Sequence, residues 1–192
     1  MVKSFLFSLI MISFVINAEN ARWDNSIDIN NPNLTIKVVS QQCNKSLINA
    51  PDELEMWCEK TIDMGNWNAL VPLSLHSGDG ERLVKEATKR VKDKDPNAYA
   101  TLAWIYETGM FIKQDIDYAI SLYEDLLKLD VQLPEAQVSS THNELATLYS
   151  VKQNWLAVVE HAQYVINMSQ LEHDRDNAFR LLKVAQNKIS LD

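Results

Sequence analysis

Four histidines are the side chains of this chain best suited to acid–base or metal chemistry. They are His76, His142, His161 and His173. None belongs to an HExxH pattern, in which two histidines on one helical face bind zinc beside a glutamate that acts as the base. His142 and His161 could meet across one pair of helices, but surface or helix-capping positions explain them more simply. The histidines therefore predict no metal site and no cofactor.

The glycine-rich turn Ser77-Gly78-Asp79-Gly80 is a second candidate for chemistry. A phosphate-binding loop needs a lysine after its glycines and a strand before them, and this sequence provides neither. Asp79 and Glu81 are close enough to work as a pair of acids, yet a solvated turn accounts for both. The sequence therefore predicts no catalytic residues, and we expect a protein that is not an enzyme.

Residues 1–18 have the pattern of a secretory signal peptide. Lys3 gives a positive start, residues 5–16 are apolar, and Ala18 is a small residue at the expected cleavage point. The apolar run is too short to span a bilayer, and a buried N-terminal helix is the alternative. We expect a mature chain that begins after Ala18, is periplasmic or secreted, and does not insert into a membrane.

The balance of charge is acidic. The chain of 192 residues has a formal net charge of −8. Proteins that bind nucleic acids need lysine and arginine to displace counterions, so this balance argues against a nucleic-acid partner. It favours solubility and a basic partner. The length suits one domain with a sizeable core.

Two cysteines are present, Cys43 and Cys58. An even number of cysteines after a signal peptide favours one disulfide. Such a bond would hold the N-terminal segment against the first long helix and contribute roughly 3 kcal/mol through loop-closure entropy. Two unpaired thiols are the alternative. No further cysteine or histidine lies nearby at ligand spacing, so a metal site at this pair is not expected.

Residues 19–50 differ in composition from residues 51–192. The first segment is dense in Asn, Asp and Ser, which predicts an irregular N-terminal arm. Within it, Leu34–Val39 is rich in β-branched residues and favours a short extended segment. From Pro51 onward, apolar residues recur with the helical period. The sequence predicts helices at 51–65, 67–76 with a kink at Pro72, 81–92, 97–108, 116–129, 139–150, 154–168 and 174–189. The last helix has a polar outer face that fits a C-terminal capping helix.

One helical pattern in this region occurs twice. The better copy reads Leu102-Ala103-x-x-Tyr106-x-x-Gly109, and it is followed by Asp115 and by Ala119-x-x-x-Tyr123. The second copy occupies residues 145–157 and has a shorter loop. Small residues in such positions let paired helices approach closely, and tyrosines fill the space between them.

This pattern resembles the Sel-like repeat, a longer-looped relative of the tetratricopeptide repeat. The resemblance covers most of residues 52–170 and implies an all-α fold, in which residues 51–192 form a right-handed α-solenoid of antiparallel helix pairs. It also implies that Gly109 ends the first helix of the better pair and that Asp115 caps the second. It implies nothing about residues 19–50.

The resemblance also carries expectations about function. Family members act as adaptors or scaffolds that bind proteins through the helical-repeat surface, and some small secreted members neutralise a toxin as immunity proteins. We therefore expect a protein–protein interaction module whose partner is another protein, a toxin or effector being the specific version. The alternatives are a structural scaffold of an envelope complex and a penicillin-binding or cell-wall-acting enzyme, as in cysteine-rich relatives.

Three residues are candidates for the partner-binding surface. In these repeats the first helix of each pair lines the concave surface. Trp104 lies beside the apolar stripe of its helix, so the resemblance places it in or beside that groove, with Tyr99 and Thr108 near it. A tryptophan in a groove is a natural hot spot of binding. The alternative is that Trp104 packs between adjacent repeats.

Overall fold

Residues 23–191 are described by a computed structural model of the chain. Within this range the chain forms helices and turns and contains no β-strand, so the prediction of an all-α fold is confirmed. The α-helices are α1 (Ile36–Asn49), α2 (Leu54–Asp63), α3 (Leu70–Ser77), α4 (Glu81–Lys92), α5 (Pro96–Thr108), α6 (Ile116–Leu127), α7 (Glu135–Val151), α8 (Trp155–Met168) and α9 (Glu172–Ile189). Short 3₁₀ helices, Pro51–Glu53 and Trp67–Ala69, precede α2 and α3. The signal peptide predicted at residues 1–18 lies outside the described residues.

The predicted N-terminal arm is irregular only in its first part, because α1 is a helix. The Thr35 hydroxyl caps it by accepting a hydrogen bond from the Val38 N–H at 3.4 Å. Its buried residues repeat with the helical period: Val39, Gln42, Cys43 and Ser46. The prediction of an extended segment at Leu34–Val39 was therefore wrong. Strand preference of β-branched residues is weak, and burial of one helical face against α2 overrides it.

The better repeat copy has the local signals that the sequence indicates. The Asp95 carboxylate accepts a hydrogen bond from the Asn97 N–H at 3.0 Å and caps α5, whose first residue is a proline. Gly109 ends α5 with φ of 67°, a left-handed conformation that glycine adopts without strain. Asp115 then caps α6 through the Tyr118 N–H at 3.0 Å. Both the glycine stop and the aspartate cap are confirmed.

Two prolines mark helix beginnings instead of breaks. Pro72 lies in the first turn of α3, where its missing N–H leaves no hydrogen bond unmade, so the predicted kink is replaced by a helix start. Pro134 is the N-cap of α7. This helix begins at Glu135, four residues before the predicted start at Ser139. In both places the fixed φ of proline suits the beginning of a helix.

Helices that follow one another along the chain pack against one another, and α7 also contacts α9 directly. Three apolar clusters result. The first cluster contains residues from every helix between α3 and α7, both included. The second joins α7, α8 and α9, and the third joins α1 and α2 with the arm. Tyr149 of α7 packs against both the first and second clusters. This packing is consistent with a helical-repeat domain, while the right-handed solenoid stays a prediction.

The disulfide between Cys43 and Cys58 is confirmed. It joins α1 to α2, and both cysteines are fully buried in the third cluster. In the same cluster the Trp23 ring packs edge-on against Trp57, with ring centroids 6.3 Å apart. The bond therefore fixes the N-terminal helix to the rest of the domain at a buried point, and Trp23 holds the preceding arm beside it.

Replacing both cysteines by alanine should lower the free energy of unfolding by about 3 kcal/mol, because a cross-link at a sequence separation of 15 restricts the unfolded chain. Urea unfolding followed by circular dichroism measures the difference. Reducing the wild-type protein should produce a loss of similar size, whereas a reductant should leave the alanine variant unchanged. A variant as stable as the oxidised wild type would contradict this role.

Candidate functional site

The three residues proposed for a groove do not form an exposed aromatic surface. Trp104 is only 8% exposed, and its ring packs edge-on against Phe111, with centroids 6.3 Å apart. Phe111 belongs to the α5–α6 loop, which folds over the tryptophan and excludes it from solvent. The structure therefore corrects the placement of Trp104, which packs in the first cluster. Tyr99 is half-buried and Thr108 is exposed, so their contact with a partner stays a prediction.

Exposed apolar side chains occur instead at the beginnings of α6 and α8 and at the end of α7. Leu156 is 73% exposed, Val151 is 64% exposed and Tyr118 is 43% exposed. An ion pair between Lys152 and Asp117, 2.7 Å between Nζ and Oδ1, brings the end of α7 to the beginning of α6. Val151 and Tyr118 adjoin the two members of this pair in the chain. We call these three apolar residues the α6–α7–α8 edge.

The sequence contains a signal for one residue of this edge, Leu156. The buried stripe of α8 is formed by Val158, Ala162 and Val165. At 100° per residue, Leu156 falls on the opposite side of that helix. Tyr118 is held in place by the Tyr106 ring, which it meets edge-on at a centroid distance of 4.7 Å. An apolar residue off the buried stripe is an indicator of an interaction surface only when others gather beside it.

A second feature is two carboxyls from different helices, Glu107 of α5 and Glu144 of α7. The Tyr123 hydroxyl donates to Glu107 Oε2 at 3.2 Å. Burial raises the pKa of Glu107 to about 7, although the hydrogen bond from Tyr123 lowers it. Burial, followed by the nearby charges of Glu107 and Asp174, raises the pKa of Glu144 to about 8. Both carboxyls can therefore exchange protons near neutral pH.

The third feature joins the two histidines that the sequence suggested could meet. His142 of α7 and His161 of α8 lie with their Nδ1 atoms 2.8 Å apart. The His142 ring stacks on Tyr164 at a centroid distance of 3.8 Å, and His161 lies parallel to Tyr149 at 5.6 Å. The Tyr149 hydroxyl in turn donates a short hydrogen bond to Glu124 of α6. Two hydrogen bonds and one stacked ring contact thus connect side chains of α6, α7 and α8.

Burial favours the uncharged form of both imidazoles. Desolvation, followed by the neighbouring charge of His161, lowers the pKa of His142 to about 4. Desolvation also lowers the pKa of His161, while the carboxylates of Glu160 and Glu124 oppose that shift. Two neutral rings can share one Nδ1–H, with one ring donating and the other accepting. The pair is therefore a hydrogen-bonded contact between α7 and α8.

The glycine-rich turn at residues 77–80 is a solvated turn that begins a helix. The Asp79 carboxylate accepts a hydrogen bond from the Glu81 N–H at 2.9 Å and so satisfies a free donor at the beginning of α4. The turn borders an open depression of about 480 Å³, and residues 110–112 line the other side of that depression. Among residues 23–191, no three His, Cys, Asp or Glu side chains converge as metal ligands.

No protein-family model, curated protein or solved structure matches this chain. The likeness to the Sel-like repeat thus continues to depend on the residues between Leu102 and Tyr123 and on their weaker copy. Within residues 23–191, no helix has both the length and the apolar content to cross a bilayer.

Stability should fall with rising pH because Glu107 and Glu144 are protonated more readily in the folded chain. Each pKa is raised above its ordinary value of 4.5, so the stabilisation is complete below that pH and is lost as the pH rises through about 7 and about 8. The slope is up to about 1.4 kcal/mol per pH unit for each carboxyl that stays protonated only in the folded state. Glu144→Gln should therefore become more stable relative to the wild type across this range, as urea unfolding at a series of pH values measures.

The exposed Glu55 of α2 provides the matched control. Glu55→Gln makes the same chemical change as Glu144→Gln, but the carboxyl that it removes is exposed and not buried. Its stability should follow the wild-type pH profile. Parallel profiles for Glu144→Gln and the wild type would show that burial of Glu144 does not set the pH dependence.

Proposed function

We propose that this chain is an exported protein-binding module that uses the α6–α7–α8 edge as its contact surface. The observation that carries the proposal is the exposure of three large apolar side chains, two of which adjoin in the chain the members of one interhelical ion pair. Single exposed apolar residues are ordinary on soluble proteins, but a group of them ringed by charge is typical of an interaction surface.

The composition of the edge suits the centre of an interface. Leu156 and Val151 offer apolar area that is exposed in the isolated chain, and Tyr118 adds an aromatic ring of the type enriched in interfaces. The ring is held by Tyr106, so little conformational entropy is lost when a partner packs against it. The Lys152–Asp117 pair is mostly exposed and adds little stability by itself, and it can serve as a polar rim.

Charge indicates the kind of partner that fits. The acidic residues Asp117, Glu124, Asp125 and Glu160 belong to the same two helices, α6 and α8. Lys128 pairs with Glu124 and Asp125 and offsets part of this charge. A partner with an apolar centre and basic residues around it would match the edge and would be steered by the negative charge of the whole chain. A toxin neutralised by this chain is the specific version of that proposal.

Export is supported by two features. Residues 1–18 carry the signal-peptide pattern, and Cys43 and Cys58 form a disulfide, which is a bond that persists in oxidising compartments. A periplasmic or secreted location follows from the two together. The alternative of an envelope scaffold shares this location and would be distinguished by a partner that co-purifies at a fixed stoichiometry.

The double variant Val151→Glu/Leu156→Glu should lose its partner. Affinity capture from the envelope and secreted fractions of the source cells, read by mass spectrometry, identifies a protein retained by the wild type. Binding of that purified protein should then weaken at least tenfold, about 1.4 kcal/mol, in the double variant, because two charges would be buried in an apolar contact.

Ile48→Glu is the matched control, because Ile48 of α1 is 83% exposed and belongs to a different surface. It should bind as the wild type does, and circular dichroism should show all three proteins equally helical. Equal binding by wild type and double variant would remove the edge from the contact surface, and equal loss in the control would indicate nonspecific capture.

A further inference from the structure

The facing Nδ1 atoms of His142 and His161 form the only cluster of histidine nitrogens within residues 23–191 that lies at contact distance. The two rings come from different helices, and each lies against a tyrosine that fixes its plane. Their Nδ1 atoms point at the same volume between α7 and α8. This arrangement goes beyond the protein-binding proposal, because it offers two imidazole ligands to a single ion.

We propose that His142 and His161 bind a divalent transition-metal ion, Zn²⁺, through their Nδ1 atoms. Imidazole nitrogen is a preferred zinc ligand, with a Zn–N distance of about 2.0–2.1 Å. Tetrahedral geometry then places two ligand nitrogens about 3.3 Å apart. The pair is at 2.8 Å, so the rings must separate by only about 0.5 Å to admit the ion.

The contact between the two rings shows which nitrogens are free to bind an ion. At least one of the two facing Nδ1 atoms must lack a proton to accept the hydrogen bond at 2.8 Å, and a metal binds such an unprotonated nitrogen. One ring donates its Nδ1–H in the metal-free pair. Binding would move that proton to the Nε2 of the same ring through solvent, with no net proton released. Both rings would then coordinate through Nδ1 and carry Nε2–H.

The surroundings supply negative charge and room for further ligands. A depression of about 300 Å³ is lined by both histidines and by Glu124 and Glu160. Glu124 is held by the hydroxyl of Tyr149 and by Lys128, whereas Glu160 is exposed at the mouth of the depression. Two acids against one lysine leave a field that favours a cation. Because no third ligand converges within residues 23–191, water would complete the coordination.

Titration of the untagged, metal-free protein with ZnCl₂ at neutral pH, followed by calorimetry, tests the site. One ion should bind per chain, and His142→Gln and His161→Gln should each weaken binding at least tenfold. His76→Gln and His173→Gln are the matched controls, because both histidines are exposed and lie on α3 and α9. They should bind zinc as the wild type does.

Nitrogen-15 NMR of the wild-type imidazoles provides a second measurement that needs no variant to fold. Zinc should shift the Nδ1 resonances of two rings together and leave both as Nε2–H tautomers. Absence of binding up to about 1 mM zinc would overturn the proposal, since a dissociation constant above that concentration is too weak for a specific site. Equal binding by all four variants, or unchanged Nδ1 resonances in zinc, would overturn it as well.

Discussion

Close approach of neighbouring helices is the constraint on which the rest of this structure depends. It is made possible by alanines that are fully buried where helices meet: Ala103, Ala119, Ala146, Ala162 and Ala178. A larger side chain at these positions would separate the helices and open voids in tightly packed clusters. The stability of short helices in water comes mainly from such burial and not from helix propensity alone.

The same close packing brings polar groups into partly buried positions. Glu107, Glu144, His142 and His161 lie beside the apolar stripes of α5, α7 and α8, and burial, more than any charged neighbour, shifts their pKa values. For the acids burial favours the protonated form, and for the histidines it favours the neutral form. Burial between the helices therefore disfavours the charged form of each of these four groups.

At the N-terminal side the disulfide adds to an apolar contact. Helix α1 begins in a segment whose composition is that of a loop. The bond between Cys43 and Cys58 restricts the unfolded chain and, together with the third cluster, holds α1 in place. The apolar residues of the α6–α7–α8 edge lie outside the three clusters and are exposed.

Helix positions in residues 51–192 were determined by the sequence itself, because their signals are local. Pro96, Gly109 and Asp115 begin, end or cap a helix through contacts within a few residues, and the apolar period identifies each buried stripe. Two cysteines favoured a disulfide but left unpaired thiols as the alternative, and the structure shows the bond. Helix α1 was missed because its local composition favours a loop, and burial against α2 outweighs that preference.

The tertiary structure alone decided which side chains share a space. A sequence pattern places Trp104 on one side of α5 but does not show that Phe111 from the next loop covers it. It allows His142 and His161 to meet, but their 2.8 Å contact depends on how α7 crosses α8. Ridges and grooves on both helices set that crossing. Local chemistry therefore determined the elements, and packing between distant residues determined the surfaces and polar clusters that carry the proposed functions.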